Sequence, residues 1–317
     1  MIGSYNTEEF GIIVKNIRTS LGLTQTDVRQ IVGISENTLM KLERGLVIPK
    51  FETLELLTLA YKVDLSAIFH TMRQDSSLSS ILSLADDAIF SNQPGMLLRS
   101  SDLLDEYMET SQHKDLINAG DLEIVRCFIS SARRYYSPDL KDIQRKEIID
   151  EIKEVMLHSN PTLKWHMIRQ NTFNLWEIRL LNILALLEGQ LGNSQTAIGI
   201  LDGILYNYQE LRDVIITERK VLLNSLFNLS YQYHVSDMHE KALQAANNGI
   251  RYALQFNDIH LLHGLYYRKG IAEHLLGSPD AEKTLLYAIV MLEIQGKDKM
   301  ADLYRKITFE TYGIKIP

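Results

Sequence analysis

The sequence predicts an all-α protein in which a small domain of short helices is followed by a long array of paired helices. Apolar residues recur at helical spacing through almost all of the 317 residues. There are only six prolines, and no alternating strand pattern is visible after residue 76. Three later segments repeat one pattern of helix, polar turn and helix, which is typical of a helical solenoid.

Composition excludes several classes of protein. Hydrophobic residues make up 45% and charged residues 23%, which are globular values. With 33 Lys+Arg against 40 Asp+Glu, the net charge of −7 argues against a wholly basic coat protein but not against a small DNA-binding module. The single cysteine, Cys127, excludes a disulfide scaffold and favours a reducing compartment. We see neither a signal peptide nor the roughly 20 apolar residues of a membrane span, and expect a cytoplasmic protein.

Five short helices are predicted over residues 7–69. The first, over residues 7–21, has apolar residues at helical spacing, namely Ile12, Ile13, Ile17 and Leu21. The residues that cap or stop these helices follow in chain order as Gly22, Thr24, Gly33, Ser35, Gly45, Pro49 and Asp64. The later helices carry apolar positions such as Leu39, Leu42, Leu54, Leu57 and Leu59.

The stretch from Thr24 to Gly45 is helix, glycine-containing turn and helix, which is the helix-turn-helix arrangement. The segment LGLTQTDVRQIVGISENTLMKLERG resembles the Cro/lambda-repressor family, also called the xenobiotic-response-element (XRE) family. The resemblance covers roughly residues 10–70. It implies a five-helix DNA-binding domain whose third helix enters the major groove.

The resemblance also implies a role for individual residues. Gln25 would hold a DNA phosphate at the N-terminus of the second helix. Base edges would be read from the third helix by Glu36, Asn37, Met40 and Lys41. Backbone contacts would come from Thr38, Arg44 and Lys50. Arg18 and Glu43 match an ion pair that ties the first helix to the third.

The charge of this region leaves an alternative open. Residues 1–70 hold seven Lys+Arg and eight Asp+Glu, a net charge of −1, and phosphates would repel Glu36. A five-helix domain of this kind can also serve as a protein-interaction module. Because Lys41, Arg44 and Lys50 cluster around the third helix, we favour DNA binding; for Glu36, a solvated position stays open.

The three repeated segments are ILALLEGQLGNSQTAIGIL, LFNLSYQYHVSDMHEKALQAA and KGIAEHLLGSPDAEKTLLYA. In each, a small residue stands twelve positions before another, in the pairs Ala185 and Ala197, Ser230 and Ala242, and Ala272 and Thr284. Small residues at this spacing allow two antiparallel helices to pack closely. The pattern resembles tetratricopeptide repeats, with an interval of about 42–45 residues where that family has about 34.

These observations predict three parts of the chain. Residues 1–71 form the DNA-binding domain, the polar stretch 72–80 is a linker, and residues 81–317 form the repeat domain, for which the family resemblance given below implies peptide binding and dimerisation. We expect two further helical pairs between residues 76 and 160, and a capping helix from about Asp298 to Tyr312.

Solenoids bind extended ligands on the face formed by the first helix of each pair. Projecting the repeat onto this chain places eight peptide-binding candidates on or next to that face: Arg179, Asn182, Asn224, Phe227, Asn228, Tyr231, Tyr266 and Lys269. Asparagine amides suit a peptide backbone, and Arg179 or Lys269 suits a terminal carboxylate. The alternative that Asn182 and Asn224 bridge helices, with the tyrosines in the core, stays open.

Catalytic signatures are absent from the sequence. We find no Walker A, HExxH, GxSxG or dinucleotide motif, so we expect neither an enzyme nor a cofactor. His260 and His263 are three residues apart on a helix, but they lack a third ligand, and packing roles are favoured over a metal site.

The two-part architecture resembles the peptide-pheromone-responsive regulators of Gram-positive bacteria, the Rgg/PlcR/PrgX (RRNPP) group. The resemblance implies a cytoplasmic homodimer that binds a double-stranded DNA operator and a re-imported signalling peptide in quorum sensing. Two other functions stay open. One is a ligand-independent repressor of the phage or plasmid type, whose array serves only for oligomerisation. The other is an adaptor that binds a protein through the array.

Overall fold

The structure is a computed structural model that describes residues 5, 7–71, 76–91, 93–109, 119–137, 139–208, 216–255 and 257–317. These residues form sixteen α-helices and one 3₁₀ helix and contain no β-strand, which confirms the predicted all-α class. They divide into two compact units. One comprises Met1–Ala85 and Arg99–Ala119, and the other comprises Asp86–Leu98 and Gly120–Pro317.

Five short helices open the first unit: α1 (Thr7–Ser20), α2 (Gln25–Val32), α3 (Glu36–Glu43), α4 (Phe51–Tyr61) and α5 (Leu65–Thr71). Their ends follow from local chemistry. Thr24 accepts a hydrogen bond from the Asp27 N–H and forms a capping box with that residue. Gly33 ends α2 with φ 76°, and Ser35 caps α3 by accepting from the Thr38 N–H.

The core of this domain differs in detail from the apolar pattern of the sequence. Phe10 and Val14 are the fully buried apolar residues of α1, whereas Ile12 is 58% exposed and Leu21 is 49% exposed. Leu59 on α4 is likewise exposed. The buried face of α1 is the one that packs against α3. Gly11 lies on this face, at the point where the two helices approach each other.

Two glycines allow this close approach. A Cβ at Gly11 would lie 2.6 Å from the Leu42 carbonyl oxygen, so α1 meets the backbone of α3 directly. Gly45 follows α3 with φ 68°, and a Cβ there would lie 2.6 Å from the backbone of Glu8. The position and tilt of α3 therefore depend on backbone contacts that no side chain could replace.

Three helices each have residues in both units: α6 (Ser76–Ser91), α7 (Pro94–Glu109) and α8 (Ala119–Tyr135), of which α8 has only Ala119 in the first unit. Residues 76–80, which the sequence assigns to a linker, are the first residues of α6, while residues 72–75 lie outside the described part of the chain. Since the two units do not follow the predicted boundaries, the domain limits 1–71, 72–80 and 81–317 stay a prediction.

The second unit is a helical array. After α8 (Ala119–Tyr135), α9 (Asp142–Ser159) and the 3₁₀ helix Trp165–Gln170, the helices are α10 (Leu175–Gln190), α11 (Ser194–Tyr208), α12 (Ile216–Val235), α13 (His239–Gln255), α14 (Leu262–Leu275), α15 (Ala281–Ile294) and α16 (Asp298–Tyr312). Helices adjacent in sequence pack together from α10 to α16, and α12 also packs against both α10 and α14. The first helices of three successive pairs therefore form one layer.

The small residues of the repeats lie where the pairs touch. All six are buried, and the Ser230 hydroxyl donates to the Ala242 carbonyl at 2.9 Å. This contact joins α12 to α13 at the twelve-residue spacing seen in the sequence. None of the helices in the described part of the chain is long and apolar enough to span a membrane.

Candidate functional site

The exposed surface of α3 carries the side chains predicted to contact DNA. Asn37, Lys41 and Arg44 are exposed, and Lys50 is exposed at the cap of α4. Thr38 is exposed as well, with its hydroxyl 2.8 Å from that of Ser35 at the start of α3. Amide and cationic groups thus share one accessible helix, which is the chemistry that reads base edges and phosphates.

Two other residues predicted to read bases are half-buried, Glu36 and Met40. The carboxylate of Glu36 lies 3.7 Å from the Arg29 guanidinium on α2, and solvent reaches both side chains. This pairing offsets part of the negative charge that Glu36 would present to a phosphate.

Beneath this surface, Arg18 and Glu43 join α1 to α3. The Arg18 Nε and one Nη donate to the two oxygens of Glu43 at 2.5 Å and 3.0 Å, and both side chains are buried. The other Nη donates to the Leu23 carbonyl at 2.8 Å. Hydrogen bonding to Glu43 raises the pKa of Arg18 despite its burial. The structure therefore brings together the two residues that the sequence paired.

Gln25 belongs to the same network. Its Nε2 donates to Glu43 at 2.9 Å, and the side chain is half-buried. The predicted phosphate contact thus has to come from the second amide proton or from the backbone of α2.

In the array, a small pocket lies between α12 and α14. Its walls are Ile89, Tyr136, Leu186, Asn224, Phe227, Asn228, Leu261, His263, Gly264 and Tyr304. The enclosed space is about 60 Å³, which suits one side chain of a ligand better than a whole peptide. Gly264 shapes it, because a Cβ there would lie 3.0 Å from the Phe227 ring.

Three of the predicted peptide contacts line this pocket: Asn224, Phe227 and Asn228. Asn224 is half-buried, whereas Asn228 is 4% exposed and donates its amide to the Asn182 oxygen at 3.0 Å. Asn224 therefore has the more accessible side chain of these two asparagines in the pocket wall.

Asn182 bridges α10 and α12. Its Nδ2 donates to the Ile178 carbonyl at 3.0 Å and to the Ser225 hydroxyl at 2.9 Å, while its oxygen accepts from Asn228. These bonds occupy its amide fully, and the side chain is 2% exposed. The structure corrects the predicted ligand role of Asn182 in favour of the bridging alternative.

Arg179 also has its partner inside the protein. Its Nε and Nη2 donate to the Asp86 carboxylate at 2.8–3.1 Å, and both side chains are buried. A further bond joins Nη1 to the Leu175 carbonyl at 3.3 Å. The guanidinium is therefore neutralised, and the prediction that Arg179 receives a ligand carboxylate is corrected.

The other three residues that were predicted to contact a peptide, Lys269, Tyr266 and Tyr231, each have a neighbouring side chain within the protein. Lys269 lies 3.5 Å from the Glu273 carboxylate one turn away on α14. The Tyr266 ring packs edge-on against Tyr287 at 5.9 Å. The Tyr231 ring stays at the surface, and the Arg268 guanidinium covers it at 4.4 Å.

The sequence did not single out His263 as a ligand contact. It lines the pocket, is 2% exposed, and neither ring nitrogen has a hydrogen-bond partner among the described residues. Burial, followed by the charges of Lys297 and His260, lowers its pKa to about 3, so the imidazole is neutral at pH 7. The described residues contain no group of three His, Cys, Asp or Glu side chains placed to hold a metal.

Arg268 is the second residue that the sequence did not indicate. Its guanidinium packs over Phe227 at 4.9 Å and over Tyr231 at 4.4 Å, and its buried Nε finds no hydrogen-bond partner in the part of the chain that the structure describes. Position 268 follows Tyr266 and precedes Lys269 on α14, both of which were predicted to contact a ligand. The sequence did contain a signal for Arg268, because it stands four residues after Gly264 and so lies on the same face of the helix.

Comparison with known families gives two matches. Residues 14–68 match the helix-turn-helix family, and residues 123–312 match the RNPP family C-terminal domain. The second match covers more than half of the chain. No protein of curated function matches the sequence.

Several solved structures share this fold. PlcR of Bacillus thuringiensis in complex with the peptide PapR7 and DNA has 17% identity and a TM-score of 0.64, with 93% of this chain and 99% of PlcR covered. A putative transcriptional regulator from Listeria monocytogenes EGD-e has 17% identity and a TM-score of 0.64, with 98% and 100% covered. ComR from S. thermophilus, in complex with DNA and its signalling peptide ComS, has 11% identity and a TM-score of 0.58, with 95% and 99% covered.

Proposed function

The chain belongs to the RNPP family, and on that premise we propose that it is a transcriptional regulator switched by a short signalling peptide. It acts in the cytoplasm as a homodimer, binds an operator through its helix-turn-helix domain and binds the peptide in its helical array. The PlcR and ComR structures, which contain both DNA and peptide, support this proposal. As a regulator of this kind, the protein catalyses no chemical reaction.

The observation that carries the proposal is the surface of α3. Asn37 and Lys41 are exposed one turn apart on a helix whose tilt is set by backbone contacts and by the buried Arg18–Glu43 pair. A rigid helix with amide and cationic groups on its outer face suits major-groove readout. A dimer places two such helices on two half-sites, which multiplies the affinity of one.

The peptide-binding half rests on the pocket between α12 and α14. A buried polar group that lacks a hydrogen bond costs free energy, and His263 leaves two such nitrogens in the pocket wall. A bound peptide supplies partners for them and for the half-buried Asn224. A repressor that binds no ligand has no use for this arrangement, which favours the peptide-responsive function over the ligand-independent one.

Helix α6 lies beside the pocket of the array. Ile89 lines the pocket, Asp86 is held by Arg179 on α10, and Asp87 lies 3.7 Å from Lys220 on α12. The same helix begins at Ser76, among residues grouped with α1–α5. A peptide that binds one conformation of the protein more tightly shifts the population towards that conformation, by no more than its difference in affinity for the two states.

The test is capture of genomic DNA by the tagged full-length protein in its host, with and without conditioned medium. We expect discrete operators that share a two-half-site sequence, and occupancy that changes when conditioned medium is added. Lys41→Ala should abolish the enriched sites, whereas Lys15→Ala, an exposed lysine on α1, serves as the charge-matched control. If the captured DNA shares no sequence, the proposed operator binding is contradicted. If the occupancy of the operators is the same with and without conditioned medium, the proposed response to a peptide is contradicted.

A further inference from the structure

We propose that the ligand of the array presents a carboxylate group, and that Arg268 receives it at the edge of the pocket. This inference rests on the proposed function and adds the chemistry by which the peptide is recognised. A C-terminal carboxylate and an acidic side chain offer the same group, so both are admitted as sources.

The first observation is that Arg268 is held in place but not neutralised. Phe227 and Tyr231 lie one turn apart on α12, and the guanidinium carbon of Arg268 is 4.9 Å and 4.4 Å from their ring centroids. Contacts of this kind orient the plane of a guanidinium without using its N–H groups. The Nε is buried and has no hydrogen-bond partner among the described residues, and the ion pairs found in this part of the chain do not include Arg268.

The second observation is that other cations of the same layer do have partners. Arg179 is bound by Asp86 through three hydrogen bonds, and Lys269 lies 3.5 Å from Glu273. A buried charge is costly unless it is paired, and the buried Arg179 meets this condition, while the half-buried Lys269 is paired as well. Arg268 is the exception among the three, which indicates that its counter-ion comes from outside.

Two titratable neighbours of Arg268, Tyr304 and His234, are neutral at pH 7. Burial raises the pKa of the neighbouring Tyr304 to about 12, so its hydroxyl is neutral at pH 7. Burial and the charge of Arg268 lower the pKa of His234 to about 4, so that ring is neutral as well. The half-buried guanidinium therefore lies beside neutral aromatic rings, and an added carboxylate could form charge-assisted hydrogen bonds with its N–H groups.

The position of Arg268 fits a ligand that occupies the pocket. Gly264, which lines the pocket, is one turn before Arg268 on α14, and the Phe227 ring touches both the pocket and the guanidinium. One turn of helix is about 5.4 Å, close to the reach of one or two residues of an extended peptide. A peptide can therefore place one side chain beside His263 and Asn224 and a carboxylate on Nε and Nη of Arg268.

The experiment uses the full-length protein and a defined set of synthetic heptapeptides, each made as the free acid and as the C-terminal amide. Peptides retained by the wild-type protein are identified by affinity selection and mass spectrometry, and the strongest are titrated by calorimetry. If the C-terminus supplies the carboxylate, we expect the protein to retain free-acid peptides but not the same peptides as C-terminal amides. If a side chain is the source, amides are retained only when they carry Asp or Glu at one fixed position.

Variants locate the contact. Arg268→Gln should weaken binding by roughly 30-fold or more, and Arg268→Lys should restore only part of the affinity, because lysine lacks the planar fork. Arg251→Gln changes an exposed arginine on α13 and serves as the control. Thermal melting of each variant checks its fold, and the comparison of acid with amide needs no variant.

The outcomes separate the two proposals. Acid and amide forms retained equally, with no preference for Asp or Glu, would overturn the carboxylate inference and leave peptide binding intact. Undiminished binding by a folded Arg268→Gln variant would overturn it too. If the wild-type protein retains no peptide of either set, the peptide half of the proposed function fails, and the inference fails with it.

Discussion

The buried ion pair of the helix-turn-helix domain makes a quantitative prediction possible. Glu43→Ala would leave the Arg18 guanidinium with a single hydrogen bond, to the Leu23 carbonyl, and would remove the partner of the Gln25 amide. Removing one partner of a buried pair typically costs about 3–5 kcal/mol. The two side chains are 10% and 4% exposed, so solvent screening does little to reduce this cost.

That loss is large for a domain of this size. At about 0.05–0.15 kcal/mol per residue, a domain of roughly 70 residues has about 4–10 kcal/mol of stability in total. Glu43→Ala should therefore bring α1–α3 close to local unfolding while the array remains folded. Hydrogen exchange of the full-length protein, followed by mass spectrometry, measures both parts in one sample.

Glu36→Ala is the matched control, because it removes a glutamate from the same helix. Its partner Arg29 is 3.7 Å away, and the two side chains are 64% and 43% exposed, so we expect a change of about 0–1 kcal/mol. Glu43→Gln keeps a hydrogen-bond acceptor and should fall between the two. If peptides from α1 and α3 keep wild-type protection in Glu43→Ala, the argument that this pair holds α3 in place is refuted.

Three further predictions concern DNA, peptide and pH. Asn37→Ala should weaken binding to operator DNA by about 1–3 kcal/mol and binding to random DNA only a little, whereas Lys41→Ala removes a charge and should weaken binding to both. Gel-shift titrations at fixed salt measure these affinities. If Asn37 does not read bases, Asn37→Ala will lose the same affinity on both DNAs. Asn224→Ala should weaken peptide binding by about 1–3 kcal/mol in calorimetry without altering the circular dichroism spectrum, and an unfolded variant would instead assign Asn224 to helix packing. The pKa of His263 is about 3 in the folded protein, whereas its ordinary value is 6.5. As the pH falls below about 6.5, the unfolded chain therefore binds this proton before the folded protein does, and the free energy of unfolding declines until about pH 3. Urea unfolding of the array at pH 7 and pH 5 should show a smaller decline for His263→Gln than for wild type, and identical declines would contradict this placement of the histidine.

Much of the fold was predictable because it depends on short-range chemistry. The ends of α2 and α3 follow from Thr24, Gly33 and Ser35, each of which acts on residues within one turn. The packing of α12 on α13 follows from Ser230 and Ala242, which meet because twelve residues are enough for a helix, a turn and the start of the next helix. The family resemblance identified the same two parts that match the helix-turn-helix and RNPP families.

The candidate ligand site was only partly predictable. Helical periodicity placed Asn182, Asn224 and Asn228 near one face, and all three do lie on α12 or beside it. Periodicity could not predict which asparagine amides would be hydrogen-bonded to each other. Asn182 and Asn228 are bound to each other across 46 positions of sequence, and Asn224 is half-buried in the pocket wall.

By itself, the sequence determined the helices, their caps, the order of the two parts and the family to which the chain belongs, because these depend on residue type and on spacings of a few positions. The tertiary structure decided which polar groups are satisfied. Arg179 and Arg268 are the same residue type on equivalent first helices, yet Asp86, 93 positions away, neutralises one, and the described residues leave the other without a counter-ion. Electrostatic pairing depends on distance in space, which only the packed array defines.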